Sequence, residues 1–430
     1  MMKPSVSNHF KNRKPSSIRQ AQIKFSKRAD KNIVKVINLA IGNVDLPMHP
    51  ALKKRMDNLS GNDLFSNGKV PYTSTVGNEE TRAAFLNAIS ALDVDVSDLF
   101  ISITDGGSSA MEIMMLGVCG PSSESPIMLL DPAYTNYLQF SKRLNIPVIS
   151  TDRRIDDNGI FTPLDIEKIS EHIKLHKPRA LVVIPYDNPT GQFLNQEILN
   201  EIAKICIHSN IWLVSDEAYR PMVFKNEDPS SIWKIPTNII PDNFYFRISI
   251  ESASKVWNAC GLRIGGIVTD SKEFHLKSIS EYTANLCANN IGQYIFGALA
   301  HETKGQIKKW YLKQNSYYMR LFKKINQGLK RELPGIIVSE PEASIYCILD
   351  FKDIADTSFD SDNFVNFCAQ EGAVNIEKNQ YTVLLAPMKG FYRNSNIGKT
   401  QVRLALVEDP SLLSITPQII SILFKSFSSL

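Results

Sequence analysis

The tetrad Ser252-Ala253-Ser254-Lys255 and the later Gly261-Leu262-Arg263-Ile264-Gly265 set two hydroxyls, an amine and a guanidinium after an apolar stretch. Hydroxyls and a guanidinium bind phosphate, the arginine in bidentate fashion. An amine beside such a site can form a Schiff base with a carbonyl-bearing phosphate cofactor, which for this chemistry means pyridoxal phosphate. Taken alone, Ser-x-Ser-Lys reads as a solvated surface lysine; the rest of the chain favours Lys255 as the reactive amine.

A second stretch, Ile211–Tyr219, is a hydrophobic run that ends in the carboxylate of Asp216 and, three residues on, the phenol of Tyr219. A carboxylate at a strand's C-terminal edge sits where α/β folds place ligand contacts, and it can hold a pyridine nitrogen protonated as an electron sink. The plainer readings are a helix N-cap for Asp216 and an ordinary half-buried aromatic for Tyr219. In Pro185-Tyr186-Asp187-Asn188-Pro189-Thr190-Gly191 the prolines and glycine mark a rigid turn, which would aim the Asn188 amide at the cofactor's ring oxygen. Thr104-Asp105-Gly106-Gly107-Ser108 reads as strand, glycine turn and helix start, presenting N–H groups of Gly107 and Ser108 to an anion, a weak signal by itself. Tyr134, in Asp131-Pro132-Ala133-Tyr134, is placed to stack on a planar ring.

These residues need a scaffold, and between about 95 and 270 the chain repeats a β-branched run, a turn and an amphipathic stretch, the signature of α/β layering. Strands are expected at Leu99–Thr104, Ile127–Leu130, Pro147–Ser150, Ala180–Pro185, Ile211–Ser215, Phe244–Ile250 and Arg263–Thr269. Several are apolar throughout, as in a largely parallel sheet buried on both faces. Asp165–Leu175 and Leu194–His208 have the spacing of covering helices, and Gln306–Arg331 that of one long helix. Beyond it, an α+β unit is expected from the strand-like Ser344–Phe351, Thr382–Ala386 and Gln401–Val407 and a helix near Asn363–Glu371.

The composition bounds the function. With 430 residues, 43% hydrophobic and 21% charged, the chain can bury a large core, and disordered or fibrous classes are unlikely readings of it. Eight Lys/Arg and no acid fall in the first 29 residues, so the net +4 hides a mildly acidic body, which argues against a nucleic-acid-binding fold. Six cysteines without CxxC or Cys/His spacing imply a reducing compartment and no structural metal. No apolar run spans a bilayer. The basic N-terminus has a composition compatible with a transit peptide, but a solvated arm or helix across a dimer is preferred, and the expected location is the cytoplasm.

Jointly and in order, these motifs resemble the class I, fold-type I, pyridoxal-phosphate-dependent aminotransferases across almost the whole chain. Ser17-Ile18-Arg19, Asp131–Tyr137 and Leu385–Tyr392 look like a bacterial and archaeal branch often labelled aspartate aminotransferase. The resemblance implies an α/β fold with a mainly parallel seven-stranded sheet in a large domain (61–305), a smaller α+β domain (306–430 with its linking helix), and an N-terminal arm joining the small domain (1–60). It assigns Lys255 as Schiff-base residue and acid/base, Asp216 to the pyridine nitrogen, and Asn188 and Tyr219 to the ring oxygen. It gives the phosphate to Ser252, Arg263, Gly107 and Ser108, and ring stacking to Tyr134. Tyr72, in Pro71–Gly77, would reach the neighbouring subunit's phosphate, implying a homodimer. Arg403, in Val402–Ala405, would grip the substrate α-carboxylate, with Gly42 and Asn188 nearby.

The reaction so implied is a ping-pong transfer of the amine of an L-amino acid, aspartate-like or broad in choice, to a 2-oxo acid such as 2-oxoglutarate. A carbon–sulfur lyase or synthase on the same fold is the alternative, whereas a cofactor-binding transcription regulator would need a DNA-binding domain for which the N-terminus has no room. Three departures bear on the substrate pocket. Tyr186-Asp187 stand where the family often has Asn-Asn, Val44 replaces a frequent proline, and Glu342–Tyr346 lacks the usual glycine and aromatic. A dicarboxylate specialist also needs a second cation, for which Arg393 and Lys389 are candidates.

Overall fold

Eight strands arise before residue 270: β1 (Val34–Asn38), β2 (Phe100–Thr104), β3 (Ile127–Asp131), β4 (Val148–Asp152), β5 (Ala180–Val183), β6 (Trp212–Asp216), β7 (Arg247–Ser252) and β8 (Gly265–Thr269). They belong to a computed structural model that describes residues 4–61, 65 and 67–429; Lys3 of the basic arm lies outside the described residues. Seven of the strands form one sheet in the order β2-β8-β7-β6-β5-β3-β4, parallel except that β8 runs against both neighbours. Every position of β3 and β5 is buried, because helices cover both faces. Alternate residues confirm this: Ile127 and Leu129 join one apolar cluster, Met128 and Leu130 the other.

All seven expected strands of this sheet are present, with their ends shifted by a few residues. The largest shift is in β7, which begins at Arg247 because the Phe244 N–H closes a turn onto Pro241 O at 3.1 Å. Since β3, β5, β6 and β7 are parallel, their carboxyl ends lie at one edge of the sheet. Asp216 pairs in register with Ile250, so the residues after Ile250 emerge beside it.

The remaining strands are β9 (Ile337–Val338), β10 (Tyr346–Asp350), β11 (Val374–Ile376), β12 (Asn379–Leu384), β13 (Ala386–Pro387) and β14 (Gln401–Ala405). They form a four-stranded sheet, β13-β14-β10-β9, and a three-stranded one, β1-β12-β11. The expected single strand Thr382–Ala386 is thus two, β12 and β13, in different sheets. In the smaller sheet β1 runs parallel to β12, with Val34 opposite Gln380 and Asn38 opposite Leu384. The segment after β1 then crosses to the other sheet: Leu39 O accepts from Ala405 N at 2.8 Å and Val407 O from Asp45 N at 2.9 Å. This crossing carries Ala40 and Gly42 to the side of Arg403 on β14.

The long helix Lys304–Glu332 starts at a capping box in which Thr303 and Gln306 satisfy each other's backbone and side chain. At the N-terminus, helix Ser17–Ser26 is not wholly a solvated arm. Arg28, just past it, is buried and donates to Gly372 O (2.8 Å) and Glu371 O (3.1 Å), carbonyls at the end of helix Ser361–Gln370. A cation there complements the helix dipole and satisfies carbonyls the helix leaves open.

Candidate active site

Residues from the sheet edge, the crossing segment and β14 converge on one cavity of about 530 Å³. It is lined by Gly42, Gly107, Ser108, Tyr134, Asn188, Asp216, Tyr219, Ser252, Lys255, Arg263 and Arg403. Tyr72 does not line this cavity: it is 78% exposed on a loop tied down at both sides, by Asn290 Nδ2 to Pro71 O (2.8 Å) and Gln293 Nε2 to Thr73 Oγ1 (3.0 Å).

Lys255 leaves the end of β7 and its Nζ donates to Gly42 O. A Cβ on Gly42 would lie 2.5 Å from Tyr346 Oη and 3.1 Å from Lys255 Nζ, so glycine is what lets the crossing segment approach the amine. Asp216, at the end of β6, accepts from Tyr137 Oη (3.0 Å) and from the Ala218 N–H (3.2 Å). Burial above all pushes its carboxyl up to about 6; these two hydrogen bonds oppose the rise, and the nearby Glu251 and Asp187 add to it. Among the described residues the buried carboxylate therefore has neutral donors and no cation.

At the start of helix Gly106–Val118, Asp105 does not cap with its side chain. Its carboxylate is held by Tyr282 Oη (2.9 Å) and the Asn289 N–H (3.1 Å), which leaves the first-turn N–H groups open to an anion. Gly106 has φ +76°, and a Cβ on Gly265 would stand 2.6 Å from Gly107 N. Bare backbone at both positions lets β8 and the Arg263 guanidinium lie against the helix start.

Arg403 is buried, with its guanidinium 4.1 Å from the Tyr346 ring centre and 5.0 Å from that of Phe391. It donates to Asn188 Oδ1 (2.8 Å) and Ala40 O (2.7 Å), both neutral, and its Nε has no hydrogen-bond partner. Asn188 Nδ2 in turn donates to Tyr219 Oη (3.4 Å), which lies 2.7 Å from Tyr346 Oη. A buried cation with only neutral partners suits an anionic ligand, because an isolated buried charge is costly.

Several neighbours escaped sequence reasoning. Tyr346 ends the segment Glu342–Tyr346, which lacks the family's usual glycine and aromatic, and its hydroxyl and ring meet Tyr219 and Arg403. Tyr137 follows Tyr134 by three residues, one helical turn, and that spacing was a usable signal. Arg19, Ile18 and Cys260 also line the cavity. Arg393 and Lys389 do not: the Arg393 guanidinium donates to Val148 O while its backbone N–H donates to Asp131 Oδ2 (2.7 Å), and Lys389 pairs with Asp360 (2.7 Å) and Asp362 (3.2 Å).

The Asp187 departure has a structural partner. Asp187 is buried and ion-paired with Arg153 at 2.9 Å, while Arg153 also donates to Leu130 O (3.0 Å) and Pro132 O (3.1 Å). The pair ties the Asn188 loop to the loop that carries Tyr134. Arg153→Ala is expected to cost about 3–5 kcal/mol in denaturant unfolding, because it strands a buried carboxylate; a loss below about 1 kcal/mol would match a surface pair and refute this role.

A seven-stranded α/β sheet whose carboxyl edge gathers an amine, a buried carboxylate and an open helix start defines a fold-type I transferase. Residues 34–402 match the sequence profile described as aminotransferase class I and II. The chain belongs to that family and is a transaminase. It is 26% identical over 395 residues to the aspartate aminotransferase of Sulfolobus acidocaldarius, covering 88% of each chain. It is likewise 26% identical over 368 residues to that of Pyrococcus horikoshii, covering 84% of this chain and 85% of the relative. Among solved structures, a single mutant of Thermus thermophilus aspartate aminotransferase superposes with a TM-score of 0.79 at 20% identity, covering 98% of this chain and 100% of that one. A multiple substrate aminotransferase from Thermococcus profundus gives 0.78 at 18% identity, covering 98% and 97%.

Proposed function

We propose that the protein binds pyridoxal 5'-phosphate in this cavity. In this reading it moves the amino group of an aspartate-like L-amino acid, or a broader set, to a 2-oxo acid such as 2-oxoglutarate. The observation that carries the reading is that an amine (Lys255), a cation-free buried carboxylate (Asp216) and a buried arginine with neutral partners (Arg403) share one cavity. The residues fit the cofactor: Asp216 lacks the cationic N–H that a protonated pyridine supplies, and the helix start beside Arg263 and Ser252 suits a phosphate. Bound there, the group supplies an electron sink for the carbanion left when a Cα proton is removed.

The chain's own residues do the rest. Gly107, Ser108, Ser252 and Arg263 hold the phosphate, Tyr134 covers the ring, and Asn188 and Tyr219 bond its oxygen. Arg403 fixes the α-carboxylate and thereby orients the Cα–H bond. Lys255 Nζ takes that proton and keeps it for return. Tyr72 serves the equivalent site of a second copy, which makes the working unit a homodimer, and we place it in the cytoplasm.

The test is steady-state kinetics with L-aspartate and 2-oxoglutarate, read by the glutamate and oxaloacetate formed. Parallel double-reciprocal lines are expected, because the amine is parked on the enzyme between substrates. Release of ammonia with no amine acceptor consumed would instead assign a lyase.

A further inference from the structure

Among the described residues four cations line the cavity, Arg19, Lys255, Arg263 and Arg403, against one carboxylate, Asp216. Under the reading above, Lys255 is the base, Arg263 meets the phosphate, Arg403 meets the α-carboxylate and Asp216 meets the ring nitrogen. Arg19 is left without an assignment. Its side chain is exposed and bonds only the neutral Gln22 Oε1 at 3.0 Å, and among the described residues no carboxylate pairs with it.

The guanidinium has a firm base. It projects from helix Ser17–Ser26, whose Ile18 and Ala21 are buried and which Arg28 ties to helix Ser361–Gln370. Arg13, earlier in the arm, donates to Gln139 Oε1 at 3.3 Å, so the arm also touches helix Thr135–Leu144. Thr135 and Asn136 of that helix line the cavity with Arg19. The helix has no side-chain cap at Tyr134, so the positive end of its dipole adds to the positive charge of the cavity lining. Tyr134 lies within reach of this field: burial chiefly raises its phenol, and Arg403 and Arg19 pull it back.

We infer that Arg19 receives the side-chain carboxylate of a dicarboxylic substrate while Arg403 holds the α-carboxylate, which makes Arg19 the specificity residue of this site. The inference rests on the transaminase reading and deepens it by naming the substrate class. An exposed guanidinium on an anchored helix suits the task, because it can swing toward a ligand and form a bidentate pair without leaving a buried charge unpaired in the free enzyme.

Arg19→Gln and Arg19→Lys holoenzymes test it, with L-aspartate and L-alanine as donors and succinate as a dead-end ligand measured by calorimetry. Arg19→Gln is expected to lower kcat/KM for L-aspartate, and succinate affinity, by roughly 10–100-fold, while L-alanine stays within about threefold. Arg19→Lys should restore part of both losses, as a charge without the fork. The melting temperature should not move, because the side chain is exposed. Equal losses for both donors, or unchanged aspartate and succinate values, would overturn the assignment. A wild-type enzyme that transfers amine from L-alanine but neither accepts L-aspartate nor binds succinate would also overturn it, leaving the transaminase reading intact. Wild type inert toward every donor would instead remove that reading.

Discussion

Lys255→Ala should lower amine transfer by about 10⁴-fold, the full span of a positioned acid/base, with further loss from the missing covalent hold on the cofactor. Apart from the short contact to Gly42 O, the Lys255 amine has no structural task in the cavity, so the variant should fold and melt like the parent. That separates chemistry from stability. Added small primary amines should restore a fraction of turnover, because the proton on Cα still needs a base and the truncated side chain leaves room for one. Turnover within about tenfold of the parent would dismiss Lys255 as the base.

Asp216→Asn should act in opposite directions on activity and on stability of the cofactor-free protein. In the fold the carboxyl is raised from 3.8 to about 6, so the folded state favours its protonated form. The contribution of this one group to stability is then greatest at and below pH 4, falls as pH rises through about 6, and above that is lower by on the order of 2–3 kcal/mol. Asparagine removes that penalty. The cofactor-free variant should unfold at higher denaturant than wild type at pH 7.5, and the advantage should vanish near pH 4. Glu217, pushed up to about 7 chiefly by burial, titrates in the same window, so the diagnostic is the difference between variant and parent. With cofactor added the order should reverse, since only the carboxylate can pair with a protonated ring nitrogen; turnover should drop roughly 10²–10³-fold. A variant that is no more stable at pH 7.5 than at pH 4, relative to wild type, would contradict the idea of a carboxylate held ready for a cation.

Much of this site was legible because its chemistry sits next to strong local signals. Each of Asp216, Asn188, Ser252 and Lys255 follows an apolar run, and a strand buried on both faces announces its end clearly. Contacts formed across long sequence separations were hidden. Ser17-Ile18-Arg19 stands out only as a likeness to a family branch, with no local pattern that makes Arg19 a cavity residue, since the packing of its helix on Ser361–Gln370 brings it there. The Arg153–Asp187 pair also joins separate loops, so Asp187 reads from sequence as a departure when it is half of a matched pair. Tyr346 was masked by an unfamiliar neighbourhood, Ala343-Ser344-Ile345, although the hydroxyl that meets Tyr219 is present. The split of Thr382–Ala386 into β12 and β13 lies beyond periodicity altogether, because Thr382–Leu384 and Ala386 are alike buried though they belong to different sheets.

The partnership of β1 with β12 sets a timetable for the chain during its synthesis. Val34 emerges from the ribosome long before Gln380, its register partner. At roughly 5–20 residues per second, β1 must wait about 17–70 s with unpaired edges and an apolar side, unless a chaperone covers it. The central sheet, complete by Thr269, has no such delay and can form while translation continues. Gly42 and Ala40 lie just beyond β1, so the cavity closes only after β14 has been made. Nascent chains halted before residue 380 should therefore carry a folded sheet domain and an N-terminus open to protease.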